Sequence, residues 1–169
     1  FQCDPFGGIL CRLGGSSLIV SAERLKISES DLNTKWVSRF CGNHVLRRLN
    51  ASPVLCVGVF GGGIHAIRDC LDLMCVQIRV LIGSGPIHDA WGIDQALFNQ
   101  IVYEKTSCVE IIDSFPQSGV FFNMGDEEVV GVDDDGFVLN EAGLRPNVLH
   151  QYDRIPGLEM FLRTSLDQA

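Results

Sequence analysis

Pro53-Val54-Leu55-Cys56-Val57-Gly58-Val59-Phe60-Gly61-Gly62-Gly63 is the stretch on which the fold turns. The run from Pro53 to Phe60 lacks the alternation of a half-solvated strand and has the form of a strand buried on both faces. The three glycines after it predict a loop without side chains. From Ile64 to Val80 the period changes. Ile67, Leu71, Met74, Cys75 and Ile78 recur at helical spacing with Arg68, Asp69, Asp72 and Gln77 between them, which predicts a helix with that apolar stripe inward. Strand, glycine turn and helix in this order are the unit of an α/β fold.

Working outward, Ser17 to Ala22 reads as a strand after the Gly14-Gly15 break. Ser30-Asp31-Leu32-Asn33 reads as a helix start, with Asn33 or Asp31 as its cap, and Gly42 as its stop. A second helix should cover Gly92 to Tyr103, with Ile93, Leu97, Ile101 and Val102 inward, followed by a short strand at Val109 to Ile112. Val129 to Val132 and Phe137 to Leu139 flank Asp133-Asp134-Asp135-Gly136, a hairpin signature. The whole is expected to be an α/β sandwich on a mixed sheet, one domain over residues 1–169.

The 169 residues carry a formal net charge of -8 with 46% hydrophobic residues. That composition excludes a disordered chain, and the dispersed basic residues argue against long nucleic acid as a partner. No apolar run approaches the roughly 20 residues a membrane helix needs. Seven cysteines at 3, 11, 41, 56, 70, 75 and 108 contain no Cys-x-x-Cys, so no zinc template is met. Cys56 and Cys70 read as small core residues, and the pairing of the others is open. An Asp133–Gly136 calcium loop is disfavoured because the frame puts Ala142 where an acidic ligand is required.

Three groups could carry chemistry. The adjacent glycines Gly61-Gly62-Gly63 either admit a ligand close to the backbone, with N–H groups to cradle it at a helix start, or make a tight strand-to-helix turn. Asp94 opens a helix, where the dipole favours a carboxylate, and Gln95 and Asn99 share a face four residues apart. That face is either a binding surface or solvated. His150, ending an apolar strand ahead of Asp153 and Arg154, is either a structural histidine or a metal ligand.

Taken together these phrases resemble GT-A-type nucleotide-diphospho-sugar glycosyltransferases. The likeness runs in order through Phe1-Gln2-Cys3-Asp4-Pro5-Phe6, the strand near Glu23, Trp36 to Gly42, Val54 to Gly63, Asp94-Gln95-x-x-x-Asn99, and the stretch Asn140 to Arg154 with its His150-Gln151-Tyr152-Asp153-Arg154 signature. It implies a GT-A-like fold that transfers a sugar from a nucleotide diphosphate to a hydroxyl acceptor. It implies manganese or another divalent ion with His150 as ligand, and Tyr152, Asp153 and Arg154 supporting metal or phosphate. Asp94 would be the catalytic residue. Gly58, Gly61, Gly62, Gln95, Asn99, Asp153 and Arg154 would contact substrate. The resemblance also implies that Phe1 opens mid-domain, with the nucleotide-binding front half and its acidic motif missing, so that the chain alone is expected to be inactive. A eukaryotic member would work in the Golgi or secretory lumen, and other members in the cytoplasm.

One departure matters. Cys56 and Val57 stand where the family carries Asn-Ala, which removes an amide from a position expected to face substrate. Two alternatives therefore remain: a non-catalytic GT-A-fold module that binds glycan or a partner, and an unrelated α/β hydrolase with a Cys or Asp nucleophile.

Overall fold

The computed structural model describes residues 17–85, 87–106, 109–113, 120–123, 131–151, 153, 155 and 158. They fall into two compact units, one within Leu13–Ile111 and one within Ile112–Ala169.

In the first unit β1 (Leu18–Lys26) passes through a 3-10 turn (Ile27–Glu29) into α1 (Asp31–Cys41) and α2 (Asn43–Leu49). Then come β2 (Pro53–Gly62), α3 (Ile64–Gly83), α4 (Ile93–Lys105) and β3 (Val109–Asp113). The expected α/β class holds at this level. The sheet order is β2–β1–β3, which leaves β2 at an edge among the described strands. β1 and β2 run antiparallel, with Leu18 opposite Gly62 and Ala22 opposite Leu55.

Leu18, Val20 and Ala22 of β1 and Leu55 of β2 pack in one core with Cys70 and Met74 of α3 and Leu97, Phe98, Ile101 and Val102 of α4. Burying Phe98 alone is worth about 3 kcal/mol. A second cluster joins Ile27, Val37, Phe40, Val45, Leu49, Val54 and Ala96. Through it α1 and α2 seat against the start of β2 and the first turns of α4. Cys56 and Cys70 are buried, as their apolar contexts imply.

Three local expectations change. The cap of α1 is Ser30, whose hydroxyl accepts from the Asn33 amide while its own backbone stays extended. A hydroxyl one residue before the first helical position is well placed for an orphan N–H. The inward stripe of α3 centres on Cys70 and Met74, whereas Leu71 is 43% exposed and Cys75 is exposed. Apolar residues occupy more than half of this helix's circumference, so periodicity alone did not fix which arc meets the sheet. Finally, β2 continues through Gly61 and Gly62, which pair with Ile19 and Leu18. Only Gly63 is left to turn the chain into α3.

In the second unit β4 (Phe121–Asn123) pairs parallel with β7 (Val148–His150), aligning Asn123 with His150. β5 (Gly131–Val132) and β6 (Val138–Leu139) form the expected hairpin. Phe122, Val138 and Leu158 make its core, with Leu149 and Ile155 packed against them. At the hairpin turn Asp133 Oδ1 accepts from the amides of Asp135 and Phe137. The Arg145 guanidinium bonds Asp133 and Asp135 and lies over the Phe137 ring. An arginine thus occupies the two carboxylates that a calcium loop would have offered to the ion.

Candidate functional site

The site grows from the edge of β2 that no described strand covers. An edge strand presents N–H and C=O groups that need partners, and α4 supplies them from side chains at one helical spacing. Tyr103 Oη donates to Pro53 O at 2.7 Å. Asn99 Oδ1 accepts from Leu55 N at 2.9 Å, and Asn99 Nδ2 donates to Leu55 O at 3.0 Å. Gln95 Oε1 accepts from Val57 N at 3.1 Å, while its Nε2 donates to Leu55 O at 2.6 Å. Four residues of helix rise about 6 Å, and two residues of strand rise about 6.7 Å. Residues 103, 99 and 95 therefore meet 53, 55 and 57 rung by rung, with the helix antiparallel to the strand. Burial between these elements pushes the Tyr103 phenol up to about 12.

The ladder sets the position of Asp94. Because Gln95 is tied to Val57, the first turn of α4 stands beside the middle of β2, whose next residue is the exposed Gly58. Asp94 is exposed there, and no hydrogen bond or ion pair to a described residue engages its carboxylate. The start of the helix is fixed from the other side by Gly92, which takes φ +80° and lies flat against an indole. A Cβ on Gly92 would stand 2.1 Å from Trp36 Cδ2.

The glycine run has its own structural cause. A Cβ on Gly62 would lie 2.5 Å from Ser17 O, so close approach of β1 requires a glycine. The Gly63 amide, expected to be open to a ligand, donates to that same Ser17 O at 3.1 Å. Of the carbonyl- and amide-bearing candidates, Asn99 is buried and Gln95 half-buried, and both amides are bonded to β2. The solvated-face alternative for these two residues is thereby excluded, and their main partner is the strand backbone. Tyr103 was missed in the sequence. Its signal was the recurrence of hydrogen-bonding side chains at 95, 99 and 103, one face of the helix at four-residue spacing.

His150 and exposed Asp153 belong to the second unit. His150 is half-buried at the end of β7, and Gln151 follows it with φ +60°, an unusual conformation for a residue with a Cβ. Such strain recurs at functional sites. Tyr152, Arg154, the Phe1–Phe6 phrase, Gly14, Gly15, Val129 and the cysteines at 3, 11 and 108 lie outside the described residues. Among the described residues no three His, Cys, Asp or Glu side chains gather to hold a metal ion.

Two of the cysteines, Cys41 and Cys70, are ill suited to nucleophilic work; Cys56 is buried and Cys75 exposed. Burial, with Glu104 adding to it, pushes the Cys41 thiol up to about 12, and burial also raises Cys70. A cavity of about 380 Å³ at the end of α3 is lined by Ile78, Ile82, Gly85, Ile87, Ala90 and Ile93. Its size suits a small ligand, but the lining offers no side chain for acid–base chemistry. Comparison with protein-family models, curated proteins and solved structures finds no match for the chain.

Proposed function

We propose that this chain is part of a GT-A-like glycosyltransferase that moves a sugar from a nucleotide diphosphate to a hydroxyl acceptor, with Asp94 acting on that hydroxyl. The observation that carries the reading is the ladder of Gln95, Asn99 and Tyr103 on β2, which holds the turn bearing Asp94 beside the middle of that strand while leaving its carboxylate exposed. A carboxylate so placed can accept the acceptor hydroxyl's proton as that oxygen attacks the anomeric carbon and the nucleotide diphosphate leaves, or it can orient the hydroxyl. The proposal carries manganese over from the resemblance with His150 as one donor. Asp153 and Arg154 are carried over toward the phosphates.

A second reading is a GT-A-fold module that binds glycan or a partner without turnover. Two findings favour it: the amides of Gln95 and Asn99 are engaged by β2, and buried Cys56 replaces an amide. Nucleotide release from a panel of uridine- and guanosine-diphosphate sugars, with manganese and a glycan acceptor, decides between them. The transferase reading expects no release by residues 1–169 alone, release by the full-length protein, and a fall in its kcat of about 10²-fold or more in Asp94→Asn, at unchanged thermal midpoint. Turnover of Asp94→Asn within a few-fold of the parent removes Asp94 from the site. Absence of release by the full-length protein from every donor overturns the transferase reading in favour of the binding module.

A further inference from the structure

We infer that Trp91 is a stacking platform for a pyranose ring, with the Asp89–Arg39 pair as its polar rim. Trp91 is 64% exposed, the largest side chain left open in the first unit. A tryptophan free in a loop would sample many rotamers and bind nothing tightly. This one is held on several sides. Its ring meets that of Trp36 edge to face, with centroids 4.9 Å apart and planes at 82°. Trp36 in turn is pinned by Gly92, whose positive φ and missing Cβ let the chain lie against the indole. The Trp91 amide donates to Asp89 Oδ1 at 3.0 Å, and Asp89 Oδ2 accepts from Arg39 at 3.1 Å. Thus α1 supplies Trp36 and Arg39 from one end, and the turn into α4 supplies Asp89, Trp91 and Gly92.

The chemistry of this patch selects its occupant. A pyranose has an apolar C–H face and a rim of hydroxyls that both donate and accept. An exposed indole takes such a face. A carboxylate and a guanidinium that are partly exposed beside it offer an acceptor and donors to the rim. Backbone and Arg39 hydrogen bonds outweigh the modest desolvation of Asp89 and hold its carboxyl below the usual range, so the acceptor persists at neutral pH. Trp91 precedes Asp94 by three residues, so a sugar stacked here would present its hydroxyls near the first turn of α4. The inference rests on the transferase reading only for the identity of that sugar as acceptor. Binding itself does not require turnover.

The chain has two tryptophans, so 5-fluorotryptophan labelling gives two fluorine resonances, assigned with Trp91→Phe. The protein is titrated with methyl gluco-, galacto- and mannopyranosides and with their trisaccharides at millimolar concentrations. The expected result is a saturable shift of the Trp91 resonance by at least one sugar. Trp91→Ala should weaken that binding about tenfold, measured by saturation transfer, and Trp91→Phe should retain most of it. No shift with any sugar, or binding that survives Trp91→Ala unchanged, overturns the inference. So does a Trp91 dependence seen only for self-association or protein binding. Sugar binding through Trp91 with no nucleotide release by the full-length protein upholds it while the transferase reading falls. Turnover dependent on Asp94 with no sugar effect at Trp91 does the reverse.

Discussion

Asn99 pairs with the peptide of Leu55 as a neighbouring strand would: Leu55 N–H donates to Asn99 Oδ1 at 2.9 Å, and Asn99 Nδ2 donates back to Leu55 C=O at 3.0 Å. Both residues are buried. One side-chain amide thereby closes an edge that would otherwise be an open template for another strand. The same carbonyl also accepts from Gln95, so the two helix residues do not contribute equally.

Asn99→Ala leaves the buried Leu55 N–H without a partner, while its carbonyl keeps Gln95. The expected loss is about 2–3 kcal/mol. Asn99→Asp keeps the acceptor but sets a carboxylate against the carbonyls of Leu55 and Gln95, and should destabilise more than alanine at neutral pH. Gln95→Ala frees Val57 N–H at a half-exposed residue that water can reach, at a cost below about 1 kcal/mol. Denaturant unfolding checks the order Asp, Ala, then Gln95→Ala. Equal effects would mean that the ladder does not hold the helix.

Gly92→Ala combines a left-handed backbone with a Cβ placed inside the Trp36 indole. A loss of at least about 2 kcal/mol is expected, together with a changed near-ultraviolet circular dichroism signal from the tryptophan pair. Gly143→Ala is the control. It has φ +71° but open space where the Cβ would sit, so it should show the backbone cost alone, about 1 kcal/mol.

The Asp133 carboxyl lies below its ordinary value of 3.8. Desolvation is the largest single influence and acts upward, but hydrogen bonds from Phe137 N, Arg145 and Asp135 N together outweigh it. A depressed folded-state value means the hairpin's support from Asp133 is complete above 3.8 and is lost as pH falls through the lower, folded value. A titration of the Asp133 and Phe137 amide resonances should show its midpoint below 3.8. Arg145→Ala should move that midpoint upward. A midpoint indifferent to Arg145 would break the assignment.

Of the four described cysteines, only Cys75 is exposed. Iodoacetamide at mildly alkaline pH should modify Cys75 ahead of Cys41, whose thiol is pushed up to about 12, with at least about a 10²-fold difference in rate. Peptide mapping by mass spectrometry reads this directly. Modification of Cys41 as fast as Cys75 would revive a cysteine nucleophile and with it the hydrolase alternative.

The sequence by itself determined the elements whose causes are local. The apolar run from Pro53 to Phe60 gave a strand, Gly92 to Tyr103 a helix, and Asp133 to Gly136 a hairpin, because chain stiffness and turn residues act within a few positions. Tertiary structure decided what those elements face. The stripe of α3 centred on Cys70 and Met74 rather than Leu71 and Cys75, since a helix apolar over most of its circumference takes its inward arc from its neighbours. Gln95, Asn99 and Tyr103 turned to the edge of β2 rather than to solvent. That choice rests on the near-equality of four helical and two strand rises between segments some 40 residues apart in sequence. No local pattern encodes such a match; it exists only once both backbones lie side by side.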